Sequence, residues 1–184
     1  MKQIKLSQGL FALVDDQDFE KANRFKWCAE KRGKNIINYY AKRRIVTDGK
    51  VSTQSLHVFL LGIKKGFEID HANSNGLDNR RSNIRHCTRS QNMGNQRKKA
   101  GTSSIFKGVS FRKRLNKYGA AIKVNHKSIH IGYYNTAQEA AFEYDCAASI
   151  YFKNFARPNV VDLCYAAYLQ ERVVKIMKKI HAIS

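Results

Sequence analysis

Acidic residues are absent from one long stretch of the sequence. From Asn79 to Gln138 there are 60 consecutive residues without aspartate or glutamate, and 14 of them are lysine or arginine. The whole chain of 184 residues has 34 Lys and Arg against 14 Asp and Glu, a formal net charge of +20. A solvated surface normally mixes charges of both signs. The one-sided stretch therefore indicates a surface that follows a polyanion such as a nucleic acid.

Paired cysteines and long apolar runs are also absent. The four cysteines, Cys28, Cys87, Cys146 and Cys164, lie far apart, and none forms a Cys-x-x-Cys pair. Zinc-ribbon spacing is therefore missing, and a disulfide framework is not expected. No run approaches the roughly 18–20 apolar residues of a membrane-spanning helix, and the amino terminus lacks the apolar centre of a signal peptide. We expect a reduced cytoplasmic protein with no membrane partner.

Residues 1–52 predict a small β-rich layer that covers the domain after it. Short strands are expected near the amino terminus, and the spacing from Gln17 to Trp27 predicts a helix. A strand follows from Asn38 to Ile45, and Asp48-Gly49 is typical of a hairpin turn. Ser55 then caps a short helix that Gly62 ends.

The central stretch carries the residues best suited to catalysis and metal binding. Phe67 to His71 predicts a short strand, and residues 72–83 form an asparagine-rich loop whose side chains bond their own backbone. A second strand at 84–88 pairs back on the first, and a helix runs from Ser90 to Arg97. Strand, long loop, strand and helix in this order are the frame of a ββα-metal site.

Three residues of this stretch have the chemistry that phosphodiester hydrolysis needs: a ligand for a cation, a second ligand and a base. Asp70 offers a hard carboxylate oxygen and Asn92 an amide oxygen, which together leave Mg²⁺ room for waters and phosphate oxygens. His71, on the other face of the strand, has an ordinary pKa of about 6.5 and can take a proton from water.

Other polar residues of the region support this site or offer a plainer interpretation. Asn83 and Asn79 are expected to pin the loop through side-chain to backbone hydrogen bonds. His57 precedes an apolar stripe and is a second-rank site candidate beside its simpler role as a packed histidine. An Asp-His pair next to such a loop is also compatible with a simple turn. A calcium-binding EF-hand is excluded, because Ala72 and His71 occupy positions that need oxygen ligands.

The carboxyl-terminal half predicts a sheet followed by a helix. After a Gly/Ser/Thr-rich linker, three strands are expected at 106–112, 118–124 and 128–134. Thr136 and Glu139 form a capping box that opens an alanine-rich helix. Residues 159–184 predict a further amphipathic helix, for which packing or dimerisation is the simpler role.

The central motif resembles the HNH endonucleases. The likeness runs from Ile69-Asp70-His71 through Asn83-Ile84-Arg85 to Gln91-Asn92, and is to the branch of phage homing and free-standing nucleases whose third motif residue is Asn. It implies that His71 is the general base, that Asn83 is the structural Asn, and that Asp70 and Asn92 hold the metal. One Mg²⁺ or Mn²⁺ per active site is implied as cofactor.

Residues 105–158 resemble the Apetala/ethylene-response-factor DNA-binding domains, which lay a three-stranded sheet into the major groove. The likeness is carried by Phe106-Lys107-Gly108-Val109, by 131–136 and by 139–148. The family's contact positions fall on Lys107, Gly108, Ser110, Arg112, Lys123, Ser128 and His130. Further basic candidates for DNA contact are Arg80, Arg89, Arg114 and Lys117.

The predicted fold class is α+β, and the predicted parts follow in chain order. They are a β-rich region (1–52), an HNH nuclease domain with a ββα-metal core (53–99), a linker (100–104), a DNA-binding domain with a three-stranded antiparallel sheet and a helix (105–158) and a carboxyl-terminal helix (159–184).

The predicted function is metal-dependent cleavage of double-stranded DNA by a site-selective nicking or homing-type endonuclease. We expect a monomer or weak homodimer, encoded by a bacterium or bacteriophage and acting in the cytoplasm. The alternative is a non-catalytic DNA-binding protein, either a regulator or a decayed nuclease, although Asp70, His71 and Asn92 are all intact. An RNA-binding module is disfavoured, because the major groove of A-form RNA is too narrow for the sheet.

Overall fold

The computed structural model describes residues 1–33, 37–98 and 101–159. Strands and short helices are mixed along the chain, so the α+β class is confirmed. Contacts divide the chain into two compact units, 1–88 and 89–184, which are described separately. Within the described ranges, no helix combines the length and apolar character that crossing a bilayer requires.

The first unit is built on a five-stranded sheet of order β2-β1-β3-β4-β5. β1 runs parallel to β3, and the other neighbours are antiparallel. A separate antiparallel hairpin is formed by β6 and β7. The elements are β1 (Lys2–Ser7), β2 (Phe11–Val14), α1 (Asp16–Asn23), β3 (Trp27–Arg32), β4 (Asn38–Thr47), β5 (Lys50–Ser55), α2 (Leu56–Leu61), β6 (Glu68–His71) and β7 (Ile84–Cys87).

One hydrophobic core joins the sheet of the first unit to the segment after it. Ile4 and Leu6 of β1 are buried while their neighbours are exposed, as period-two alternation predicts. Leu56 and Leu60 of α2 and Ile84 of β7 enter the same core. The β-rich region therefore covers the following segment, as expected from the sequence.

The helix expected from Gln17 to Trp27 is shorter than predicted. α1 ends at Asn23, and Trp27 begins β3, where it pairs with Leu6. The indole Nε1 of Trp27 donates to the carbonyl oxygen of Ala22 at 2.8 Å, and the residue is buried. The prediction was wrong at this end because Trp27 packs into the sheet core as the first residue of β3, with its ring centroid 5.7 Å from that of Phe59.

The second unit contains a three-stranded antiparallel sheet of order β10-β9-β8. Its helix begins with the predicted capping box: Thr136 Oγ1 accepts from the Glu139 N–H at 3.2 Å, and the Glu139 carboxylate accepts from the Thr136 N–H at 3.3 Å. The elements are α3 (Arg89–Asn95), β8 (Val109–Arg112), β9 (Lys117–Val124), β10 (Lys127–Tyr134) and α4 (Ala137–Phe152). The alanine stripe of α4 is buried, as predicted.

Helix α3 belongs to the second unit by its contacts. It ends at Asn95, two residues before the predicted end. The carbonyl oxygen of Gly94 accepts from the Arg157 N–H at 3.3 Å, and a Cβ at Gly94 would lie 2.6 Å from the Phe152 ring. The sequence placed this helix in the predicted domain 53–99, but in the structure its contacts are with the segment that follows that domain. The domain boundaries stay predictions, and the helix predicted over 159–184 lies outside the described residues.

Candidate active site

Asp70 and His71 stand together at the end of β6, where alternation directs their side chains to opposite faces. In the hairpin, Asp70 is opposite Arg85 and His71 is opposite Ile84. Both Asp70 and His71 are buried, with exposed fractions of 6% and 5%. The hairpin therefore holds a carboxylate and an imidazole in fixed positions on adjacent residues.

The carboxylate of Asp70 is paired with the guanidinium of Arg85. Nε and Nη2 of Arg85 both donate to Asp70 Oδ2, at 3.1 and 3.0 Å. A buried carboxylate needs a partner of this kind, because leaving one buried charge uncompensated costs on the order of 3–5 kcal/mol. No sequence pattern identified Arg85, because its place opposite Asp70 is set by the register of β6 and β7.

The imidazole of His71 lies among polar and aromatic side chains. Its Nε2 is 3.4 Å from Asn79 Oδ1, and its ring centroid is 5.0 Å from that of His57 and 5.7 Å from that of Tyr40. Burial lowers the pKa of His71, while the hydrogen bond with Asn79 and the charge of Asp70 oppose that change. The net lowering favours the neutral ring at neutral pH, which is the state of a general base before it accepts a proton.

Side chains fold the loop between β6 and β7 back on itself. Asn83 Oδ1 accepts from the Asn73 N–H at 2.9 Å, and Asn83 Nδ2 donates to the Asp78 carbonyl at 2.7 Å. These bonds confirm that Asn83 pins the loop. Because Asn79 of the same loop contacts His71, the imidazole is more enclosed than the sequence led us to expect.

Arg80 lies in this loop and is engaged there. Its Nε and Nη2 donate to Asp78 Oδ1 and Oδ2, at 2.8 and 2.7 Å. The bidentate pair lowers the pKa of Asp78. Since the Arg80 side chain is still 37% exposed, its contact with DNA stays a prediction beside this observed role in the loop.

Arg81 ties the loop to α1, a contact that the sequence does not indicate. Nε and Nη2 of Arg81 donate to the two carboxylate oxygens of Asp18 at 2.7 and 2.9 Å, and its backbone N–H donates to Asp15 Oδ2 at 2.7 Å. Asp18 is 1% exposed and also pairs with Lys21 at 2.7 Å. The Arg81 bond lowers the pKa of Asp18. The partners are 63 residues apart, too far for any local pattern.

His57, second-rank from the sequence, lies beside the proposed base. Its ring stands edge-on to His71 at 5.0 Å and to Tyr40 at 6.1 Å. Burial lowers the pKa of His57 to about 3, and positive charge on His71, Arg32 and Lys42 acts in the same direction. Within the part of the chain that the structure describes, its buried Nδ1 has no hydrogen-bond partner. The folded protein therefore favours the neutral form of the His57 ring over the protonated form.

Replacing His57 by Phe should make the free energy of unfolding less sensitive to acid. The unfolded chain protonates this residue below a pH of about 6.5, whereas the folded chain does so only near a pKa of about 3. The free energy of unfolding of the wild type therefore decreases as the pH is lowered through this window. His57 alone accounts for a decrease of about 2 kcal/mol between roughly pH 7 and pH 5. Chemical denaturation at both pH values measures the difference.

The matched control for that experiment is His130→Phe, since His130 is exposed on β10. Its acid sensitivity should follow that of the wild type. If His57→Phe lost stability with acid as steeply as the wild type, the lowered pKa of His57 would be contradicted.

The predicted metal pair is divided between the two units: Asp70 is in the first, and Asn92 is on α3 in the second. Among residues 1–33, 37–98 and 101–159, no three His, Cys, Asp or Glu side chains cluster as a metal cage. One buried carboxylate and one neutral amide do not resemble a zinc or calcium cage. A carboxylate such as that of Asp70 does suit Mg²⁺ or Mn²⁺, which retain waters and bind substrate phosphate oxygens. The sharing of one ion by Asp70 and Asn92 stays a prediction.

Most predicted DNA contacts of the second unit share the sheet face opposite α4, here called the outer face. In the register, Arg112 is opposite Lys117 and Ser128 is opposite Lys123. The exposed candidates on the sheet and its adjoining turn are Arg112, Arg114, Lys117, Lys123, Ser128 and His130, and Ser110 is half-buried. Alternation from the buried Val109 places Ser110 on the outer face too. Arg89, at the start of α3, is also exposed.

Lys107 and Gly108 are not on the outer face. Nζ of Lys107 donates to the carbonyl oxygens of Gly94 and Met93, and burial lowers its pKa to about 8. Gly108 has a φ of +76°, and a Cβ there would lie 1.9 Å from the Tyr144 ring. Both residues therefore contribute to the packing of the unit, and their predicted DNA contacts stay predictions.

Two comparisons with known proteins show what the chain is similar to. Residues 60–94 match the family model described as HNH endonuclease, a range that contains Asp70, His71, Asn83 and Asn92. These matched residues include the buried pair at the end of β6. The chain is also 28% identical, over 162 residues, to an uncharacterized HNH endonuclease of Acanthamoeba polyphaga mimivirus.

That alignment covers 84% of this chain and 78% of the viral protein. No solved structure matches the chain. Together, the family segment and the relative support an enzyme that hydrolyses DNA. The relative comes from a giant virus, so a bacteriophage origin stays a prediction.

Proposed function

We propose that the chain is a divalent-metal-dependent DNA endonuclease that cuts at selected sites, as a nicking or homing-type enzyme. The observation that carries the proposal is the Asp70-His71 pair on β6, inside the segment that matches the HNH family. Both side chains are buried, and the lowered pKa of His71 favours its neutral form. A buried carboxylate beside a neutral imidazole is the donor and base combination that metal-assisted hydrolysis requires.

Each residue of the site has a distinct part in the proposal. His71 takes a proton from the attacking water, and Asn79 orients the ring through Nε2. Asp70 and Asn92 supply oxygen ligands, while Asn83 shapes the loop. A bound divalent cation would neutralise charge that develops on the phosphate and the leaving oxygen.

The second unit is proposed to grip double-stranded DNA through its outer face, in the manner of an Apetala/ethylene-response-factor domain. In its favour are the cross-strand pairs of basic and hydroxyl residues, such as Lys123 with Ser128. Lysine and arginine on one face release condensed counterions on binding and so supply affinity. The proposal includes a monomer or weak homodimer that acts in the cytoplasm.

Cleavage of supercoiled plasmid tests the proposed function. Intact protein with Mg²⁺ or Mn²⁺ should convert supercoiled DNA to nicked or linear product, and EDTA should stop the conversion. End-labelled strands of a cut duplex then show whether one strand or both are broken. DNA binding without metal-dependent product would instead establish a non-catalytic protein.

The non-catalytic alternative has one observation in its favour. Asp70 is already neutralised by Arg85 at 3.0 Å, an arrangement that a DNA-binding protein without metal would also need. The plasmid experiment separates the two functions, because only the nuclease responds to EDTA.

Arg112→Ala should weaken DNA binding and reduce its salt dependence. Arg112 is exposed on the outer face opposite Lys117. Losing one phosphate contact should reduce the slope of log affinity against log salt by about one. Titrations of a labelled duplex at several salt concentrations measure that slope.

The control is Lys127→Ala, which removes the same charge from the other end of the sheet, where alternation directs the side chain away from Ser128. Its slope should remain close to that of the wild type. A wild-type slope for Arg112→Ala would exclude a phosphate contact by Arg112.

A further inference from the structure

Asp70 and Arg85 form a largely buried ion pair with a defined hydrogen-bond geometry. The two residues are direct cross-strand neighbours in the β6–β7 hairpin. Two guanidinium nitrogens converge on one carboxylate oxygen, Asp70 Oδ2, at 3.0 and 3.1 Å. The side chains of Arg85 and Asp70 are 25% and 7% exposed, so solvent screens their interaction only weakly. Arg85 is therefore bound as a cation at the carboxylate that is proposed to hold the metal.

A divalent cation bound by Asp70 would share with this guanidinium the carboxylate whose Oδ2 Arg85 holds. Mg²⁺ and Mn²⁺ bind carboxylate oxygens at close range with strict geometry. A guanidinium still bonded to that oxygen would lie a few ångströms from the metal, where like charges repel strongly in a poorly screened site. The charge of Arg85 therefore opposes metal binding at Asp70.

We propose that Arg85 is a placeholder cation, which holds the Asp70 carboxylate in position before metal arrives and lowers the metal affinity of the DNA-free protein. The inference rests on the proposed metal role of Asp70. Burying a carboxylate without a counter-charge is unfavourable. Arg85 supplies this counter-charge at Asp70 Oδ2, and its charge then opposes the arrival of a second cation. This makes Arg85 a positioning residue for the metal ligand.

Titration of Mn²⁺ into the intact, DNA-free protein tests this role. Calorimetry and the electron paramagnetic resonance signal of free Mn²⁺ both give the dissociation constant without any cleavage. Arg85→Met should bind Mn²⁺ about tenfold more tightly than the wild type, because the competing charge is removed. Without metal its melting temperature should be lower, and Mn²⁺ should raise that temperature more than in the wild type.

Two further variants make the comparison specific. Arg81→Met removes another bidentate arginine–aspartate pair, the one with Asp18, and should leave Mn²⁺ affinity unchanged. Arg85→Lys keeps a positive charge but loses the two-nitrogen geometry, so its affinity should lie between those of the wild type and Arg85→Met. If Arg85→Met does not fold, as judged by circular dichroism, the Arg85→Lys result decides.

Asp70→Asn separates the possible failures. If it abolishes Mn²⁺ binding while both Arg85 variants bind no more tightly than the wild type, the placeholder role is overturned and the metal site stands. If Asp70→Asn binds Mn²⁺ as well as the wild type, the metal role of Asp70 fails, and the inference fails with it. Tighter binding by both Arg85 variants, together with loss of binding by Asp70→Asn, supports the inference.

Discussion

His71→Ala should reduce the rate of DNA cleavage by roughly 10²–10⁴-fold, which is the usual contribution of a general base. The imidazole is buried at the end of β6, burial lowers its pKa and so favours the neutral form, and its Nε2 lies 3.4 Å from Asn79 Oδ1. Alanine removes the proton acceptor but none of the basic residues on the outer face. DNA affinity should therefore stay within about twofold of the wild type, since phosphate contacts dominate it. Single-turnover cleavage and binding to a labelled duplex give the two quantities.

The control for this prediction is His126→Ala, which removes an exposed histidine from the turn between β9 and β10. It should cleave at the wild-type rate. Parallel loss of cleavage and affinity in His71→Ala, or a large drop in its melting temperature, would show a structural role. Cleavage at the wild-type rate would show that His71 is not the base.

Asp18→Asn should destabilise the first unit by about 2 kcal/mol near neutral pH. Asp18 is 1% exposed and accepts two hydrogen bonds from Arg81 and one ion pair from Lys21. Hydrogen bonds to charged groups contribute about 1.5–3 kcal/mol, and breaking a buried pair costs more. Because the side chains of Arg81 and Lys21 are 41% and 44% exposed, water compensates part of their loss. Chemical denaturation measures the change.

The pH dependence of this difference has a definite sign. The folded pKa of Asp18 lies below its unfolded value of about 3.9, so its contribution is complete above that pH and is lost as the pH falls further. Wild type and Asp18→Asn should therefore converge in acid. Asp16→Asn is the matched control, because Asp16 is an exposed acid of the same helix and its replacement should change stability much less than Asp18→Asn does. Similar losses in both variants would contradict the prediction.

The elements around the site were predictable because their signals are local. A short strand, an asparagine-rich loop and a second strand were expected, and β6 and β7 confirm them. The bonds of Asn83 within the loop follow from the tendency of Asn to bond nearby backbone. The capping box of α4 was readable from Thr136 and Glu139 alone.

Residues that meet across long separations were not predictable from the sequence. The pair of Asp18 with Arg81 spans 63 positions, and His57 reaches His71 only through the packing of α2 near the hairpin. Lys107 illustrates the same limit, since its Nζ donates to carbonyl oxygens at the end of α3, a contact that the sequence did not indicate. Its contact with DNA stays a prediction.

The sequence alone was sufficient to identify the fold class, the positive charge that attracts a polyanion, and the Asp-His pair. Composition and short-range patterns carry that information. Three-dimensional packing was needed to show that His71 is enclosed, that Arg85 neutralises Asp70, and which basic side chains share the outer face. Those features depend on strand register and on contacts between distant segments. Such contacts are chosen by burial and charge pairing across the whole unit, which no local stretch of sequence encodes.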